Sequence, residues 1–136
     1  MGLAERRIVK SYQEDTYPQL INEINTLAGY DIEIEVNWDS LSDNEHSAIW
    51  EESFTKVYFT PVINMLKSIT ADEMGKEALK ESLKKIVIKN DNGNYYPSNA
   101  YNFESNTLTI DHSSFSNVSN VSERSEYLIE LMESKL

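Results

Sequence analysis

The sequence predicts an α+β domain: a small, mostly antiparallel sheet of about four strands, covered by helices on one face. Three observations predict it. Apolar residues recur at helical spacing in several segments, they alternate with period two in short runs, and the order is helix, strand, helix, helix, three strands, helix. The 136 residues fit a single globular domain, 1–136, large enough to bury a core without disulfides.

Taking the elements in order, Ile8, Tyr12, Tyr17, Leu20, Ile21, Ile24, Leu27 and Ala28 mark one helical stripe, and Gly29 supplies a left-handed stop. Pro18 removes a backbone donor inside that stripe, which predicts a kinked long helix or two helices restarting near Thr16. From Tyr30 to Trp38 the period becomes two, with Ile32, Ile34 and Val36 on one face and Asp31, Glu33, Glu35 and Asn37 on the other. That is a strand with one wet face. Ser42 and Glu45 have the spacing of a capping box, in which hydroxyl and carboxylate satisfy orphan helix amides. The helix it would open carries Trp50, Phe54, Val57, Tyr58, Val62, Met65, Leu66 and Ile69, with a kink expected at Pro61.

Thr70 and Glu73 repeat the box ahead of a third helix through Leu79 and Leu83. Lys85 to Lys89 reads as a strand with Ile86 and Ile88 buried, and Asn92-Gly93 signals a hairpin turn into a strand at Tyr101 and Phe103. A second turn at Asn106-Thr107 leads to the strand of Leu108 and Ile110. Residues 113–120 form a polar loop anchored by Phe115 and Val118, and Asn120 with Glu123 opens a last helix bearing Leu128, Leu131 and Met132 inward.

Composition narrows the function classes. There are 23 Asp and Glu against 12 Lys and Arg, a formal charge of −11, which disfavours nucleic-acid backbones and anionic membranes. No run approaches a membrane span, and the first residues lack the apolar stretch of a secretory signal, so the expected location is the cytoplasm. With no cysteine, thiolate zinc sites and a cysteine nucleophile are excluded. The four glycines, at 2, 29, 75 and 93, build no phosphate-cradling loop. No cofactor is implied.

Eight of the acids, Asp31, Glu33, Glu35, Asp39, Asp43, Glu45, Glu51 and Glu52, fall between Asp31 and Ser53, where there is no Lys or Arg. The leading expectation is a non-catalytic, inhibitor-like or immunity-like module that binds a basic protein through Asp31, Glu33, Glu35, Asp39 and Asp43. Against it stands a plain reading in which Glu33 and Glu35 pair across the sheet with Lys85 and Lys89, and Glu45 only caps a helix. Asp39, Asp43, Glu45 and His46 offer metal ligands, but without the central glycine of a calcium loop the stretch fits an acid-decorated helix start better.

The alternative is a small-molecule domain or enzyme whose pocket, between the Pro61 kink and the sheet, is lined by Trp50, Tyr58, Tyr101 and His112. Asp111-His112-Ser113 is no triad, because consecutive strand residues point to opposite faces. Tyr95-Tyr96-Pro97 lies in a connection and is the aromatic stretch expected at the surface. A third expectation is self-association through a sheet edge or such rings.

Overall fold

The computed structural model describes residues 2–42 and 49–136. Asp43, Glu45 and His46, and with them the Ser42 capping box and the metal reading, lie outside the described residues.

The first stripe folds as α1 (Leu3–Ser11), a π-helical turn at Tyr12–Thr16, and α2 (Tyr17–Ala28). Proline explains the widened turn. Pro18 has no N–H and its ring would strike the carbonyl four residues back, so the preceding turn takes an extra residue and the Tyr17 N–H donates five back, to Tyr12 O. Gly29, at φ 83°, ends the helix as its sequence position predicts.

The chain then forms β1 (Glu33–Val36) and a short helix α3 (Trp38–Leu41). Helix α4 (Trp50–Phe54), a second π-helical turn at Thr55–Phe59 and α5 (Thr60–Ile69) repeat the earlier device, with the Thr60 N–H donating to Thr55 O just before Pro61. The two widened turns meet: the Tyr12 hydroxyl lies 2.9 Å from Thr55 Oγ1, and Phe59 packs on the rings of Tyr12 and Tyr17.

Helix α6 (Glu73–Ser82) is capped by Asp72, whose Oδ1 accepts from the Gly75 N–H at 2.8 Å. The expected cap, Thr70, instead donates its hydroxyl to Leu66 O and belongs to the end of α5. Strand β2 (Lys85–Lys89) follows, then the short helix α7 (Pro97–Ala100), β3 (Tyr101–Glu104), β4 (Thr107–Asp111) and α8 (Val121–Lys135). Asn120 stands at the start of α8 without a side-chain capping bond.

The α+β class holds, but the sheet is mostly parallel. Its order is β1-β2-β4-β3, with β1 parallel to β2, β2 parallel to β4, and only β3 and β4 antiparallel. The expected hairpin at Asn92-Gly93 does not form between neighbours. Gly93 does take a positive φ of 64°, but residues 90–100 are long enough to step over one strand position, leaving room for β4 beside β2. Asp111 fixes the step by accepting from the Asp91 N–H at 2.8 Å and from Asn92 Nδ2 at 2.6 Å. The second expected turn does close a tight hairpin, β3–β4, but at Ser105 and Asn106, with φ of 53° and 64°, so that Thr107 already belongs to β4.

Alternation puts Ile86, Ile88, Leu108 and Ile110 on the covered face, in one core with Ile24, Phe54, Met65, Leu66, Leu128 and Met132. Each such buried aliphatic side chain contributes about 1.5–3 kcal/mol. Among the described residues no helix is long and apolar enough to cross a membrane.

Candidate functional site

The sheet's uncovered face follows from its register. One row across it reads Glu33, Lys85, Thr107, Glu104, and the next reads Glu35, Val87, Thr109, Asn102. Glu33 and Glu35 share a single cation: Lys85 Nζ lies 3.9 Å from one carboxylate and 3.5 Å from the other. Their side chains stay 71% and 63% exposed, so these are solvated pairs of a few tenths of a kcal/mol, and one carboxylate of the two remains uncompensated. Lys89 is not part of this group. It pairs with Asp91 at 3.0 Å, a bond that raises its pKa above the usual lysine value. A hollow of about 410 Å³ lies beside Glu35, lined by it with Val36, Asn37, Val87 and Lys89.

Of the other acids, Asp31 is exposed at the entry to β1. Asp39 sits on α3, in a groove that it shares with Arg6 and Lys10 of α1. Asp43 lies outside the described residues. The structure thus joins Glu33 with Glu35 and places Asp39 in different surroundings.

The aromatic set is not a cavity lining. Trp50, Tyr58 and His112 are buried and Tyr101 is 6% exposed, and Trp50 stacks on Phe54 at 6.0 Å. The Tyr58 hydroxyl donates to His112 O at 2.6 Å and meets Ser114 Oγ at 2.8 Å. Burial pushes the Tyr58 and Tyr101 phenols well above the usual tyrosine range, and it lowers His112, whose charged form is further disfavoured by Arg124. Arg124 is the residue that sequence reasoning missed here. Though buried, it gives Nη1 to Asn117 O at 2.7 Å and Nη2 to Val118 O at 2.6 Å and Lys56 O at 3.2 Å, tying the start of α8 to the loop before it and to the second π turn. This cluster holds the fold together and presents no surface to a substrate.

Two further features escaped the sequence reading. A crevice of about 390 Å³, lined by Ser40, Ser42, Asn90, Ser113 and Ser116 together with Leu41 and Phe115, opens beyond the carboxyl ends of the three parallel strands. Strand order, which no local pattern encodes, is what creates it. Glu123, Glu126, Glu130 and Glu133 form an exposed acidic stripe on α8, next to Tyr96 and Tyr127. That one was legible as acids at helical spacing. Tyr95 and Tyr96 are exposed, as expected of their connection, with ring centres 4.6 Å apart. No group of three or more His, Asp or Glu among the described residues is placed to hold a metal ion.

Compared with protein-family models, with curated proteins and with solved structures, the chain matches none.

Proposed function

We propose that this domain is a non-catalytic binding module that docks a basic protein on the uncovered face of its sheet, centred on Glu33 and Glu35 and extended by Asp31. One observation carries the reading: two largely exposed carboxylates lean on one lysine, on a sheet face that no helix among the described residues covers. Asp39 would border the same partner only if it also reached around α3. Complementary charge at such a surface acts chiefly on the association rate.

The test is association of the chain with a lysine-rich peptide, Lys-Val-Lys-Val-Lys-Val, followed at several salt concentrations. Reversing Glu33 and Glu35 to Lys should slow association about tenfold at low salt and flatten its salt dependence. Reversing Glu126 and Glu130 on α8 is the control. If the α8 reversal carries the loss instead, the site is misplaced.

A second reading rests on the serine-lined crevice, since small ligands in open sheets with parallel strands collect beyond the strands' carboxyl ends. It calls for a small polar ligand, and amide shifts at Ser40, Asn90 and Ser113 on adding one would support it. This replaces the aromatic-lined location with a different one.

A further inference from the structure

We infer that the outer edge of β1 accepts an extended basic segment as a fifth strand of the sheet; this rests on the acidic-face reading above and names the shape of its partner. The backbone geometry points there first. The Glu33 N–H donates to Lys84 O at 3.1 Å and the Asn37 N–H to Ile88 O at 2.9 Å, so residues 33, 35 and 37 turn their backbone groups toward β2. By strand alternation, Ile34 and Val36 turn theirs away. One outward amide earlier, at Ile32, the donor is already taken by Asn25 Oδ1 at 3.0 Å. Beyond it, the N–H and C=O groups of Ile34 and Val36 face outward with no partner among the described residues. Two donors and two acceptors at the two-residue repeat form the template that a fifth strand needs.

Side chains then select the occupant. A strand added beside β1 would set alternate residues next to Glu33 and Glu35 on the open face, within about 5 Å of them, and the residues between beside Ile34 and Val36. Lys or Arg in the first positions would meet the carboxylates that Lys85 only half compensates. Small or β-branched apolar residues suit the second set. A second copy of β1 would bring glutamate against glutamate, so the same charges that admit a basic strand repel the chain's own edge.

The test uses the whole chain and the peptide Lys-Val-Lys-Val-Lys-Val. Ile34→Pro and Val36→Pro each delete one outward N–H and no sheet bond, a substitution that edge strands tolerate, and each should weaken binding at least tenfold. A peptide of the same sequence with alternate N-methylated amides makes the same test on the unaltered protein, with the same expected loss. Glu33→Gln with Glu35→Gln should weaken the plain peptide as well. If the proline variants and the methylated peptide bind as tightly as their parents while the glutamine variant weakens, strand addition is overturned and the acidic face stands. If the glutamine variant is also unaffected, or the plain peptide does not bind, both fall.

Discussion

Gly75 has room for no other side chain, since a Cβ built on it would lie 1.7 Å from the carbonyl oxygen of Ile69. Alanine inside a helix normally gains about 1 kcal/mol over glycine. Here the clash with backbone outweighs that gain, because α6 would have to move off the end of α5. Gly75→Ala is expected to lower stability by at least 2 kcal/mol, read as a lower urea midpoint at unchanged slope. His112 sets a second expectation. Its Nδ1 lies 2.6 Å from Ser113 O, and a carbonyl only accepts, so Nδ1 carries the hydrogen of a neutral ring whose Nε2 has no partner among the described residues. Burial, opposed by the Ser113 carbonyl bond and by Asp111 and helped by the charge of Arg124, holds the folded pKa below the usual 6.5. The unfolded chain therefore takes up this proton first. Its contribution to stability is complete above about pH 6.5 and is lost as pH falls from there through the lowered folded value. Urea midpoints measured between pH 7.5 and 5 should decline for the parent, and less for His112→Asn.

At the scale of elements, the two proline-linked π turns behave as one joint. Tyr12 and Thr55 each begin a widened turn, each accepts the five-residue bond that closes it, and their side chains bond to one another at 2.9 Å. Tyr12→Phe and Thr55→Val should each cost about 1 kcal/mol, while the double variant costs clearly less than their sum, a coupling measurable by a double-mutant cycle. Elements of this kind were legible in the sequence to different depths. Both prolines announced a break in a helical stripe, but whether the chain answers with a bend or a π turn depends on what packs beside it. The alternation of Glu33 and Glu35 with Ile34 and Val36 gave the wet face of β1, and matched spacing gave Lys85 as a partner. Lys89 departed from that pattern because Asp91, two residues on, offered a nearer carboxylate. Thr70 and Asp72 both have capping chemistry, and where α5 ends decided between them.

For the whole molecule, strand order was the part that periodicity could not reach. Alternation says which residues face the core, and it is silent on which strand lies next to which. The crevice beyond β1, β2 and β4 depends on that adjacency, and so escaped with it. The insertion of β4 between β2 and β3 also assigns the turn at Ser105-Asn106 an unusual importance. Asn106 tolerates its φ of 64° better than a β-branched residue does. Asn106→Val is expected to destabilise the fold and to slow refolding by nearly the whole of that loss, leaving the unfolding rate little changed, as stopped-flow kinetics would record.

That expectation comes from assembly order. β2 is joined to β3 by the chain but bonded to β4, so it gains its second neighbour only when a locally closed β3–β4 hairpin arrives as a unit. During synthesis, the Ile86-Val87-Ile88 stretch emerges before the hairpin that will flank it. For that interval it is an open, apolar β edge, exposed to pairing with other chains until the hairpin arrives.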